Sequence, residues 1–204
     1  MSLVRRVGPG TKLKGKRVAI IAANEFEDIE LLYPFLRLSE EGAEVIIIPV
    51  RRGLHPRPAI PIKPVSGRYG TPIPLEVFSE GERYIIRELK EIKPEEIDAV
   101  IIPGGFSPDA LRIDEEVLTF IKKVHELGKV IAAICHGPQV LISAGLVKGR
   151  KVTAYRAVKD DLVNAGAEYV DEPAVRDGNI ITARVPDDLP EFCQLIIEVL
   201  SKRK

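Results

Sequence analysis

The stretch Val-Ile-Ala-Ala-Ile-Cys-His-Gly at 130–137 decides the fold, because five apolar residues run without a break into a thiol, a histidine and a glycine. An apolar run of that length suits a strand covered on both faces, as in a parallel sheet. Cys135 then stands at the strand's carboxyl end. Gly137 leaves room for a tight turn, and Pro138 has the φ favoured at the first position of a helix that carries Val140, Leu141 and Ile142. This is the pattern of a nucleophile elbow, G-x-S-x-G, with Ala133 in place of its first glycine. The unpaired N–H groups at a helix start favour an anion, so the placement predicts a thiol that ionises below the free value of about 8.5. Most free cysteines are inert core residues. The adjacent His136, the small flanking residues and the strand-to-helix setting argue for a nucleophile instead.

Outward from the elbow, the apolar runs at 17–23, 44–50 and 99–102 read as further buried strands. The first two flank an amphipathic helix that carries Leu32, Phe35 and Leu36, is kinked at Pro34 and is closed by Gly42. Strand, helix and strand in so short a span make a βαβ unit, and hence a parallel sheet. Asp114 is placed to cap a helix whose apolar face is Val117, Phe120, Ile121, Val124 and Leu127, with His125 near its end as a surface residue that complements the helix dipole. A short strand at 151–154 ending at Tyr155, a helix at 159–165, a hairpin turning through Asp177-Gly178-Asn179, and a last helix with Phe192, Leu195, Ile196 and Val199 on its buried face complete the chain. Cys193 reads as a core thiol. Residues 51–81 hold six of the chain's prolines and read as an insertion, with an edge strand at 73–78; the stretch from 83 to 92 fits a hairpin strand or a helix equally well.

The 204 residues suit one domain at 16–204, preceded by a basic extension at 1–15. Lysine plus arginine and aspartate plus glutamate both number 30, so there is no basic footprint for nucleic acid. The two cysteines form neither a disulfide framework nor a metal-ligand spacing. A reducing cytoplasm, no metal and no cofactor are expected, and no run is long and apolar enough to span a membrane. Few Gln and Asn, one Met and no Trp beside many charged residues resemble the composition of heat-adapted proteins.

Five segments carry a family resemblance: Asn-Glu-Phe-Glu-Asp-Ile-Glu-Leu (24–31), Ile-Pro-Gly-Gly (102–105), Ala-Ile-Cys-His-Gly-Pro (133–138), Leu-Ile-Ser-Ala-Gly-Leu-Val-Lys-Gly-Arg-Lys (141–151) and Lys-Asp-Asp-Leu-Val-Asn-Ala-Gly-Ala-Glu (159–168). Together they resemble the PfpI, or intracellular-protease, branch of the ThiJ/PfpI superfamily over about residues 16–200. The resemblance implies an α/β flavodoxin-like sandwich of the class I glutamine amidotransferase type, a mostly parallel sheet with helices on both faces. It implies Cys135 as nucleophile, His136 as its partner and Glu27 as a neutral acid beside the thiol. It further places Asp109, shorter than the Glu expected there, as a third catalytic acid reaching a neighbouring subunit in a homo-oligomer, a dimer or a hexamer built from dimers. The region at 51–81 is longer than in the family. An elbow enzyme uses the N–H after its nucleophile, here of His136, and one from a neighbouring loop, here of Gly104 or Gly105, for the oxyanion; Tyr155 is a candidate on the substrate side. The expected activity is attack on a carbonyl: a peptide or amide bond in a protease-like hydrolase, or methylglyoxal and its protein adducts in a glyoxalase or deglycase. The alternative is a redox sensor or chaperone that uses the thiol without turnover.

Overall fold

The computed structural model describes residues 12–51, 64–75 and 84–203. Its centre is a seven-stranded sheet, built on β1 (Arg17–Ala22), β2 (Glu44–Pro49), β5 (Tyr84–Ile86), β6 (Ala99–Ile102), β7 (Val130–Ile134), β10 (Ala174–Asp177) and β11 (Ile180–Ala183). The spatial order is β10-β11-β7-β6-β1-β2-β5. Every pairing is parallel except that of β10 with β11, the hairpin that turns at Asp177-Gly178-Asn179. The segment left open between a hairpin strand and a helix is β5, a parallel edge strand beside β2, followed by a 3-10 turn at Leu89–Glu91. Two short pairs lie outside this sheet: antiparallel β3 (Val65–Ser66) with β4 (Pro72–Ile73), and parallel β8 (Lys151–Val152) with β9 (Glu168–Tyr169). The pair β3–β4 occupies part of the expected insertion. The rest of that insertion, most of the edge strand expected at 73–78 and most of the basic extension lie outside the described residues.

Two layers of helix cover the sheet because alternate residues of each strand point to opposite faces. Val18 and Ile20 of β1 pack with Phe35 and Leu38 of α1 (Asp28–Glu40) and with Phe192 and Ile196 of α6 (Leu189–Ser201). Their neighbours Ala19 and Ile21 pack on the other side with Val117, Ile121 and Val124 of α3 (Glu115–Glu126), Val140 and Leu141 of α4 (Pro138–Ser143) and Leu162 of α5 (Lys159–Asn164). Cys193 is fully buried in the first cluster, as expected of a core thiol. Asp114 caps α3, its Oδ1 accepting the N–H of Glu116 and of Val117.

His125 departs from its expected role as a dipole-complementing surface cation. Its ring lies half-buried against Arg150, whose Nη2 is 3.3 Å from Nε2, and burial and the guanidinium charge both lower its pKa. It is held in the neutral form, as part of the joint between α3 and the β10–β11 turn.

The chain order reverses between β1 and β6: β2 lies to one side of β1, and the later strands follow from β6 on the other. Ligands bind at the carboxyl ends of strands at such a switch point. The chain leaving β1, β6 and β7 delivers residues 24–30, 103–106 and 135–137 to that one crevice.

Candidate active site

Cys135 adopts φ +60°, a left-handed conformation that costs a non-glycine residue about 1–3 kcal/mol. Three hydrogen bonds impose it. Its N–H donates to the Ala183 carbonyl (3.1 Å), its carbonyl accepts the Tyr155 N–H (3.0 Å), and the Gly137 N–H closes the turn onto the Ile134 carbonyl (2.8 Å). A Cβ on Gly137 would collide with the carbonyl oxygens of Ile102 and Ile134, so only glycine lets α4 begin this close to β6. The elbow predicted from the sequence is therefore formed, at the price of strain at the thiol residue itself.

The carboxyl beside the thiol is that of Glu30, in the first turn of α1, and not that of Glu27. Glu30 is fully buried. Its Oε2 accepts the Gly104 N–H at 2.7 Å, and the carboxyl shares a hydrogen bond with the Cys135 thiol. Its Oε1 is buried and faces no N–H or O–H donor among the described residues, which suits a carboxyl oxygen carrying its own proton. Burial, with the nearby Glu27 charge adding to it, raises the Glu30 pKa from 4.5 to about 8 against the opposing Gly104 hydrogen bond. Glu27 stands one residue before α1, where its Oε2 pairs with Arg68 Nη1 at 2.8 Å. Glu27 and Glu30 are three residues apart and so lie near one face of the helix start, and of the two it is Glu30, inside α1, that couples to the thiol.

The thiol itself departs from expectation. Burial, and then the charge of an ionised Glu30, push Cys135 up to about 12, while the N–H groups of Gly105 and His136, both hydrogen-bonded to the sulfur, pull the other way. The residue is 9 % exposed, and so little solvent costs the thiolate more than two amides return. Burial thus favours the protonated thiol, and that proton has to leave before the sulfur can act as a nucleophile.

A base for that proton is present. His136 Nδ1 lies 3.3 Å from Sγ, and burial lowers the imidazole pKa below 6.5, with Arg68 acting in the same direction and Asp109 opposing it. The ring stacks against Tyr155 with centroids 5.1 Å apart. Asp109, on the short helix α2 (Ser107–Leu111), acts on His136 of its own chain. Gly104 and Gly105 divide their work: the Gly104 N–H is engaged by Glu30, and the Gly105 N–H points at sulfur. Gly105 has φ +70° where the chain crosses the 25–27 segment. A Cβ on Gly104 would lie 2.7 Å from the Cys135 Cβ, so the sulfur's neighbourhood has no space for one.

The model of the DJ-1/PfpI family matches residues 16–199. The chain belongs to that family. It is 40% identical over 184 residues to a Pyrococcus horikoshii protein named deglycase PH1704, covering 90% of this chain and 99% of that one. It is 38% identical over 177 residues to the Bacillus subtilis protein named putative cysteine protease YraA, covering 87% and 94%. Among solved structures, Drosophila melanogaster DJ-1beta superposes with a TM-score of 0.73 at 26% identity, covering 92% of this chain and 91% of that one. The flavodoxin-like sheet described above is thus the fold of the DJ-1/PfpI family. Of the residues singled out in the sequence, this member brings Cys135, His136, Gly104 and Gly105 together at the sulfur, stacks Tyr155 on the His136 ring, and places Asp109 within electrostatic reach of His136. It moves Glu27 to the rim. Glu30 and Arg68 are the site residues that the sequence reading passed over; the helical spacing of Glu30 from Glu27 was the available signal for the first, and nothing local marked the second. Among the described residues no cluster of His, Cys, Asp and Glu is arranged to hold a metal, and no helix is long and apolar enough to cross a membrane.

Proposed function

We propose that this protein is a cysteine-dependent enzyme acting on reactive carbonyls, a glyoxalase or deglycase that attacks a 2-oxoaldehyde or its adducts through Cys135. The observation that carries the reading is the convergence of two backbone N–H groups, of Gly105 and His136, on the sulfur. A carbonyl oxygen on a carbon bonded to that sulfur would lie beside both donors. A reactive thiol used only as a sensor has no need of them.

The chemistry follows from two groups whose surroundings drive their pKa values apart. His136, kept neutral, takes the thiol proton as sulfur bonds to the aldehyde carbon, and the carbonyl electron pair moves to oxygen. That oxygen is held by the two amides and protonated from His136, giving a hemithioacetal. Glu30, kept protonated at neutral pH, leaves no charge beside the sulfur. Neutral His136 is then the base positioned to carry a proton from the former aldehyde carbon to its neighbour through an enediol. This internal transfer oxidises one carbon and reduces the other, so no external oxidant is required. The resulting thioester is cleaved by water to a 2-hydroxy acid, and Cys135 recovers its proton. On an adduct, the amine or thiol that carried the carbonyl leaves.

Peptide or amide hydrolysis would use the same first attack, and the name of the Bacillus relative supports keeping it as the second reading. A homo-oligomer remains part of the proposal, supported by Phe106 and Ile113, exposed apolar side chains on either side of Asp109. Incubation with methylglyoxal and, separately, with an unfolded protein tests the two activities. The first reading expects a 2-hydroxy acid from wild type and none from Cys135→Ser. Release of peptides without any 2-hydroxy acid would overturn it.

A further inference from the structure

We propose that Arg68 determines substrate specificity by reading a carboxylate on the substrate, so that the preferred substrates are small carbonyl adducts carrying one; this rests on the carbonyl chemistry above. Arg68 lies in the turn between β3 and β4, and that turn is fastened to the start of α1 on both sides of it. Asp28 accepts the Tyr69 N–H on Oδ2 and the Thr71 N–H on Oδ1, each at 2.9 Å, and the Arg68 N–H donates to the Phe26 carbonyl at 3.0 Å. Gly67 packs so tightly on the Asp28 carboxyl that a Cβ there would overlap it. A segment with so many backbone attachments holds its side chain at a fixed root. Phe26 bridges Gly67 on one side and Gly105 on the other, so this turn is tied to the loop that supplies the oxyanion amide.

The guanidinium is preorganised in the same way. It sits 5.4 Å from the centroid of the Phe106 ring and 5.9 Å from that of Tyr69, two exposed aromatics that limit where it can swing. Only Nη1 is engaged among the described residues, by Glu27. The side chain is 42 % exposed, leaving its remaining donors open to a ligand. Its charge reaches both Glu30 and His136, so a group held by it is also close to the reacting centre. A fork of fixed orientation suits a planar carboxylate, which can share the guanidinium with Glu27 without displacing it. Glu27, which does not act on the thiol as an acid, then has a different part as the residue that aims Arg68.

Two alkylating reagents that differ only in charge, iodoacetate and iodoacetamide, test this without requiring turnover. In both, the Cys135 sulfur displaces iodide, and peptide mass spectrometry reads the rate at Cys135 alone. The iodoacetate-to-iodoacetamide rate ratio should exceed that of free N-acetylcysteine about tenfold at low salt and fall to the free value in Arg68→Met. Arg68→Lys should retain part of the preference. A wild-type ratio equal to that of the free thiol, or a ratio unchanged in Arg68→Met, would overturn the proposal. A second arm compares kcat/KM for the methylglyoxal hemithioacetals of N-acetylcysteine and of its amide. The acid should be preferred, and Arg68→Met should bring the acid-to-amide ratio of kcat/KM down to about one whatever happens to the absolute rates; a ratio unchanged in Arg68→Met, or a wild-type preference for the amide, would also overturn it. If alkylation shows the preference and neither adduct turns over, the carbonyl reading fails while the anion-reading role of Arg68 stands.

Discussion

Replacing Glu30 by glutamine should make the protein more stable, by an amount that depends on pH in a prescribed way. A buried carboxyl with its pKa raised from 4.5 to about 8 holds its proton in the folded chain after the unfolded chain has released it. Below pH 4.5 both states are protonated and the residue contributes no pH dependence. Between 4.5 and about 8 the native state binds more protons than the unfolded one, so stability falls as pH rises, and above about 8 the loss is complete. At about 1.4 kcal/mol per pH unit, that interval is worth about 5 kcal/mol. Glutamine is close to isosteric with the protonated acid, and its carbonyl can accept the Gly104 N–H as Oε2 does. It has nothing to ionise. The difference in unfolding free energy between Glu30→Gln and wild type should therefore be small at pH 4.5, about 3 kcal/mol in favour of the variant at pH 7 and about 5 kcal/mol above pH 8. Urea unfolding at a series of pH values measures it, with the m-value held constant as a check that the same surface is being exposed. A difference that is flat across this range would mean that Glu30 ionises normally in the folded protein, and the division of labour between a protonated acid and a neutral base would fall with it.

The remaining predictions concern activity. The pH profile of kcat/KM should be a bell whose acid limb lies below 6.5, where His136 becomes protonated, and whose alkaline limb lies near 8, where Glu30 gains a charge beside the sulfur; Glu30→Gln should remove the alkaline limb, and a profile that retains it would refute the assignment. Gly104→Ala places a methyl 2.8 Å from Glu30 Oε2 and 3.0 Å from the His136 N, which should reduce kcat by about 100-fold or more by spoiling the oxyanion amides and cost about 1–3 kcal/mol of stability. Asp109→Asn removes the charge that favours protonated His136 and should move the acid limb to lower pH. If the reach of Asp109 to His136 within one chain is the one that matters for activity, mixing Cys135→Ala with Asp109→Ala chains should leave activity at the mean of the two; recovery in confirmed hybrids would show that the acid is shared between subunits.

The elbow, the parallel sheet and the two-sided core were legible in the sequence because they are written in local pattern. Uninterrupted apolar runs such as 130–134 require cover on both faces, and a Cys-His-Gly-Pro sequence after such a run leaves the chain few ways to turn. Asp114 and the Asp177-Gly178-Asn179 turn were equally local, since a cap or a tight turn is decided within four residues. Which acid meets the thiol was not local. Glu27 and Glu30 share one face of the start of α1, and which of them stands level with the sulfur depends on where along its axis that helix docks on the sheet, a matter of the closed core in which Phe35 and Leu38 are buried. The ionisation of Cys135 shows the same limit: the helix start and its amides could be read from residues 135–138, but the burial that outweighs them is a property of everything packed around the sulfur. Arg68 was hidden for a related reason. Its sequence neighbourhood is an unremarkable turn, and only the fold brings that turn against Asp28 and Phe26, more than forty positions earlier in the chain, and hangs its guanidinium over the crevice. Local chemistry determines what the chain can form at each point, whereas relative solvation and the meeting of distant side chains exist only once the layers have closed.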